Sequence, residues 1–166
     1  GENQFTKLPP ELGQLTNLIW LYLEGNPLTT LPPEIGQLTN LAGLSLHGTQ
    51  FAVFPSEIGQ LTKLVYLKLG ENQFTTLPPE IGQLTNLTWL YLESNKLTTL
   101  PPEIGKLAKL TELQIERNPL TDTGLEHLKS LKSLKRLNLC DTKVTKAGVE
   151  FFKKALPNCE IEVLRR

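Results

Sequence analysis

The stretch Leu15-Thr16-Asn17-Leu18-Ile19-Trp20-Leu21-Tyr22-Leu23-Glu24-Gly25-Asn26 decides the fold. Leu21 and Leu23 alternate with Trp20, Tyr22 and Glu24, the period of two expected of a strand with one buried face. The same stretch then returns. Leu15, Leu18, Leu21, Leu23, Asn26 and Leu28 reappear 23 positions on as Leu38, Leu41, Leu44, Leu46, Thr49 and Phe51. Further copies start at Leu61, Leu84 and Leu107, and past Leu120 the step becomes 24, with Leu131, Leu134, Leu137, Leu139, Thr142 and Val144. A unit this short cannot bury its own leucines. Stacking the units joins their strands into a parallel sheet and merges the leucines into one continuous core.

The polar residues of the repeat support this reading. Asn26, Asn72, Asn95 and Asn118 follow their strands where the chain turns inward, and a buried amide there can satisfy backbone groups of its own and the neighbouring turn. Thr49 and Thr142 take that place with a shorter side chain that makes fewer bonds. The return segments Leu31-Pro32-Pro33-Glu34-Ile35-Gly36, Leu77–Gly82 and Leu100–Gly105 are near-copies. Proline in the first turn and an early glutamate predict single helical turns on the convex side. From Leu120 the chemistry changes. Asp122 is expected to cap a true helix carrying Leu125, Leu128 and Leu131, and Thr145 a second with Val149 and Phe152. Pro157 ends it, and Glu160 to Leu164 alternates as a closing strand, with Ile161 and Val163 inward, Phe151 and Phe152 beneath, and Arg165 and Arg166 solvated.

Composition fits a single domain over residues 1–166, divided into 23-residue repeats (1–119), longer helix-bearing repeats (120–156) and a closing strand and tail (157–166). The chain is 39% hydrophobic with zero net charge, which argues against a dedicated nucleic-acid or membrane binder. The charge is uneven: residues 1–104 hold four lysines and nine glutamates, whereas 105–166 hold thirteen cations against eight acids. Solvation of two kinds of repeat accounts for this more simply than a functional dipole. No apolar run reaches membrane length, and Gly1-Glu2-Asn3 has none of the segments of a signal peptide. Gly1 to Thr6 nearly copies Gly70 to Thr75, so Gly1 reads as part of a repeat. Two cysteines, Cys140 and Cys159, are out of register for a disulfide. The sequence assigns no location; unpaired thiols and the missing signal peptide lean towards the cytoplasm. Asn86-Leu87-Thr88 matches a glycosylation acceptor, a triplet common by chance.

The motif L-P-x-E-I-G-x-L-x-x-L, repeated in register over essentially the whole chain, resembles leucine-rich-repeat proteins of a bacterial-looking variety. The Gly-x-Ile-Pro of the plant extracellular variety is absent, and Leu120–Leu125 and Lys143–Val149 look like a second subfamily with longer convex helices. The resemblance implies an α/β repeat solenoid, a right-handed curved superhelix with its parallel sheet on the concave face, where partners bind. It implies no cofactor. It permits a stand-alone protein-binding module, the recognition part of a larger enzyme such as a Roco-type GTPase or a ubiquitin-ligase effector, or a purely architectural spacer. No N-terminal cap is expected ahead of the first repeat. Leu8, Leu12, Leu15, Leu18 and Leu21 are therefore expected to line an uncovered edge, implying a longer array or self-association through that end.

Comparison among the repeats selects the binding residues, because positions that vary on the exposed strand face are free to specialise. The first column reads Trp20, Gly43, Tyr66, Trp89, Glu112, Arg136; the second Tyr22, Ser45, Lys68, Tyr91, Gln114, Asn138; the third Glu24, His47, Gly70, Glu93, Glu116, Cys140. The expected partner-binding set is Trp20, Tyr22, Glu24, Gly43, Ser45, His47, Tyr66, Lys68, Trp89, Tyr91 and Glu93, facing a protein or peptide ligand. Five aromatic rings on a solvent-facing wall are what interface anchors look like, although stacked rings can also simply stabilise a sheet. Gly43 beside Ser45 predicts a notch about 10 Å wide between Trp20 and Tyr66. Ser45, His47 and Glu24 tempt a catalytic reading. Serine and histidine two apart on a strand sit roughly 7 Å from each other, and no oxyanion loop is visible, so catalysis is not expected. Glu24 and Glu93 stand about 14 Å apart by rung spacing, too far to share a metal ion with Glu116. His127 is expected to be merely exposed on the convex helix.

Overall fold

In the computed structural model, residues 3–163 are described; Gly1, Leu164, Arg165 and Arg166, to which the sequence assigned roles, lie outside them. The alternating triplets become seven short strands: β1 (Trp20–Tyr22), β2 (Gly43–Ser45), β3 (Tyr66–Lys68), β4 (Trp89–Tyr91), β5 (Glu112–Gln114), β6 (Arg136–Asn138) and β7 (Glu160–Glu162). They pair in chain order as one parallel sheet. Each strand aligns with the same positions of its neighbour: Leu21 pairs with Leu44, Leu44 with Leu67, Leu67 with Leu90. This register sends every repeat leucine to the same side, where Leu44, Leu67, Leu90 and Leu113 are wholly buried.

The chain returns through five-residue 3-10 turns at Pro10–Gln14, Pro33–Gln37, Ser56–Gln60, Pro79–Gln83 and Pro102–Lys106. Proline enters most of them with its fixed φ and no amide to leave unpaired. The isoleucine of the turn is buried, and its carbonyl accepts from the leucine that follows, as Ile35 does from Leu38 at 3.1 Å.

The asparagines form a ladder inside these turns. Asn95 Nδ2 donates to the carbonyls of Leu92 and Glu93 in its own rung and of Leu69 in the preceding one, while its Oδ1 accepts from Phe74 N. Asn72 and Asn118 repeat the pattern. At the Thr49 rung the side chain reaches only the Leu46 carbonyl and Asn72 Oδ1, and Leu28 N turns back to its own rung at Asn26 O. Just before each ladder position the backbone goes left-handed, with φ of 66° at Gly25, 63° at Gly48 and 54° at Glu71, Ser94, Arg117 and Asp141.

The C-terminal section departs from expectation at three points. Thr123–Ser130 is a 3-10 helix and not an α-helix, and Asp122 does not cap it: its backbone is already helical (φ −54°, ψ −44°) and its carboxylate points away to Thr145. Thr145 does cap an α-helix, α1 (Lys146–Ala155), accepting from Gly148 N at 3.1 Å. Phe152 is buried but Phe151 is exposed, since adjacent helical residues cannot both face the core. In β7, Ile161 packs on the core with Glu160 and Glu162 outward, whereas Val163 is exposed beyond the strand. At the other end Leu15 and Ile19 are exposed and Leu8, Leu12, Leu18 and Leu21 only half-buried. Both cysteines are free, and burial raises the Cys159 thiol to about 11. Among the described residues no helix is long and apolar enough to cross a membrane.

Candidate functional site

Strand register carries the odd positions of every strand to the face opposite the leucines, where the five expected aromatics gather. Trp20 and Tyr22 stack at 6.0 Å between ring centres, Trp20 meets Tyr66 at 6.2 Å, and Tyr66 meets Tyr91 at 5.4 Å. Trp20, Tyr22 and Trp89 remain 47%, 53% and 38% exposed. Tyr66 and Tyr91 are half-buried, which raises both phenols, Tyr91 to about 12 with Glu112 contributing.

The expected notch at Gly43 does not exist. The Trp20 indole folds over Gly43 and occupies the space a side chain there would take. Ser45 is fully buried and donates to Glu24 Oε1 at 2.6 Å. Gly43 and Ser45 are thus floor, with no surface of their own to offer. The second glycine is filled the same way: the Glu93 carboxylate leans over Gly70 towards His47, which lies two rungs away in the same column. His47 Nδ1 comes within 3.3 Å of Glu93 Oε1, off the line a hydrogen bond needs, and Nε2 lies 3.7 Å from Glu71 Oε2. His47 therefore faces carboxylates and not Ser45. With Ser45 bonded to Glu24, no serine–histidine contact is present.

Two polar clusters fill the remaining gaps. Glu24 accepts from Ser45 and, at 3.5 Å, from Lys68; the Ser45 bond first and Lys68 second hold its carboxyl below the usual range against desolvation. Glu112, nearly buried, accepts from Tyr91 Oη and Gln114 Nε2, each at 3.1 Å, and pairs with Arg136 at 3.2 Å. Among the described residues no group of three or more His, Cys, Asp or Glu is placed to hold a metal ion.

A leucine-rich repeat region model matches residues 55–154 and a leucine-rich repeat model matches 17–38. The chain belongs to the leucine-rich-repeat family. No curated protein sequence matches it. Among solved structures, this repeat chain is similar to a leucine-rich-repeat protein of Leptospira interrogans, at 35% identity and a TM-score of 0.64 over 96% of this chain and 52% of that one. It is also similar, at 33% identity and a TM-score of 0.76, to the ectodomain of the plant membrane receptor kinase GASSHO1/SCHENGEN3 from Arabidopsis thaliana in complex with Casparian strip integrity factor 2. There it covers 95% of this chain and 19% of the other. An internalin from Listeria monocytogenes shares the fold at 20% identity and a TM-score of 0.75 over 94% of this chain and 50% of its own. The chain thus spans about half the length of the two bacterial proteins.

Glu112, Gln114 and Arg136 share the leucine-rich-repeat sheet face with the expected residues yet fell outside the expected set. Their column positions were visible in the sequence; the bond from Tyr91 that ties them to the aromatics was not. Glu71, which has a left-handed backbone and a carboxylate oxygen 3.7 Å from His47 Nε2, was also missed. The glycosylation triplet has its amide engaged: Asn86 Nδ2 donates to Thr62 O, and its Oδ1 accepts from Lys109.

Proposed function

We propose that this chain is a non-enzymatic recognition module, one repeat domain that binds a protein or peptide partner across its concave strand face. The observation that carries this reading is the exposure of Trp20, Tyr22 and Trp89 on one sheet face, where Trp20 and Tyr22 run on through ring contacts to Tyr66 and Tyr91 and Trp89 stands on the strand next to Tyr66. Large amphipathic rings left in water are costly unless a partner covers them, and they anchor interfaces at low entropic cost. Glu24, His47, Lys68 and Glu93 supply the polar rim, and Gly43 and Ser45 the floor. The relatives support the reading, since the GASSHO1/SCHENGEN3 ectodomain is seen in complex with a partner factor.

The test is Trp89→Ala against a partner captured from native lysate. Affinity should fall by about 2 kcal/mol, roughly 30-fold, with the thermal midpoint nearly unchanged. A melt that collapses while the surviving folded protein binds normally would make the rings structural. A second reading, that the module serves a larger protein with an enzymatic part, is favoured by one observation: the Arabidopsis relative is the ectodomain of a receptor kinase. The length of the full open reading frame decides between the two.

A further inference from the structure

The strand face is acidic although the chain as a whole is neutral. Glu24, Glu93, Glu112, Glu116, Glu160 and Glu162 stand on it against two cations, and both cations are already engaged, Lys68 with Glu24 and Arg136 with Glu112. Among the described residues Glu93, Glu116, Glu160 and Glu162 have no lysine or arginine partner, and His47 approaches Glu93 Oε1 at 3.3 Å. Glu93 and Glu116 stand beside the aromatic strand β4. They occupy the same column on adjacent rungs, about 5 Å apart by strand spacing. Glu93 Oε2 and Glu116 Oε2 are both shielded from water, and neither has a hydrogen-bond partner. Arg117, next in the chain to Glu116, offsets part of its charge but forms no ion pair among the described residues. Burial first, then the charges of Glu93 and Glu162, raise the Glu116 carboxyl above its usual range. A shielded carboxylate oxygen without a donor is destabilising, and a ligand that brings donors relieves that cost on binding.

The neighbouring columns say what kind of ligand. Trp89 and Tyr91 lie on the same strand as the backbone leading to Glu93, with Trp89 exposed. Ring faces beside paired carboxylates suit a cationic head on an apolar stem, and the guanidinium fork meets two carboxylates at once. We propose that the concave face takes an extended peptide segment bearing an arginine or lysine, whose charged head settles between Glu93 and Glu116 while the flanking residues cross the Trp89, Tyr66 and Trp20 rings. This rests on the concave-face reading above and names its partner's chemistry.

The experiment selects a phage-displayed random twelve-residue library on the intact chain. Synthetic versions of the enriched peptides are then titrated by tryptophan fluorescence against wild type, Trp89→Ala, the double variant Glu93→Gln/Glu116→Gln, and Glu150→Gln on the convex helix as control. Expected are peptides with an arginine or lysine at a fixed distance from an apolar residue. Their affinity should fall at least about tenfold in the double variant, be unchanged in Glu150→Gln, and weaken with salt on the wild type. The salt titration needs no variant to fold. Uncharged or acidic peptides that require Trp89 but ignore both glutamates and salt would overturn the cation proposal and leave the concave face standing. No enrichment, or peptides indifferent to Trp89, would overturn both.

Discussion

The Trp20 indole lies across Gly43, the residue it pairs with on β2, and so converts an apparent gap in the sheet into a packed surface. A glycine in a strand ordinarily weakens it, and alanine there ordinarily restores stability. Here the relation inverts. A Cβ at Gly43 collides with ring atoms, so Gly43→Ala must swing the indole out into water. The expected loss is about 1–2 kcal/mol, with a red shift of tryptophan emission. In a Trp20→Ala background the same substitution should cost nothing, because the colliding ring is gone. Denaturant melts of the four proteins in this cycle check it.

Asn72 bonds carbonyls in two rungs and accepts from both Phe51 N and the Thr49 hydroxyl. Asn72→Ala leaves several buried backbone groups unpaired and should cost about 1–3 kcal/mol, towards the upper end. Thr49→Asn places the longer amide where it can accept from Leu28 N, and should stabilise by about 0.5–1 kcal/mol. Chemical denaturation of both variants beside wild type is the measurement; equal midpoints for Asn72→Ala and a surface substitution would exclude the ladder as a stabilising element.

Asp122 Oδ1 accepts from Thr145 N at 2.8 Å and Oδ2 from Thr145 Oγ1 at 2.6 Å. The carboxylate thereby sets the hydroxyl that caps α1 one rung later. Asp122→Ala should lower stability by about 1–2 kcal/mol and reduce protection of the first amides of α1 in hydrogen exchange, while leaving Thr123–Ser130 in place.

Alkaline pH offers a fourth check. Tyr91 ionises near 12 in the fold against about 10 in the unfolded chain, from burial and the Glu112 carboxylate. The folded state therefore holds a proton that the unfolded state releases, and the contribution to stability is complete below about 10 and declines as pH rises towards 12. Absorbance titration of phenolate should show a late component that Tyr91→Phe removes.

The repeat made most of the fold legible. Leu21, Leu44, Leu67 and Leu90 have one period, one strand position and one buried face, so their register follows from counting. The asparagine ladder was readable for the same reason. What the sequence hid arises where one rung lacks a side chain and another rung supplies it. Gly43 looked like an absence, but the Trp20 indole fills it, as the Glu93 carboxylate fills the space over Gly70. Asp122 looked like a cap for its own helix because sequence proximity favours local bonds; its carboxylate instead reaches a residue adjacent in space and 23 positions distant.

The asparagine ladder has a mechanical consequence. From Asn72 to Asn118 every rung is bonded to the one before through a buried amide, whereas the Thr49 and Thr142 rungs lack an asparagine. Pulled from its two ends, such a rod does not stretch evenly. Outer rungs peel away first at low tension, each 23-residue turn releasing a contour of roughly 75 Å, and the amide-linked middle holds until a higher load. The proposed binding wall around Tyr66 and Trp89 thus sits on the amide-linked span of the rod, and keeps its shape while the ends give way.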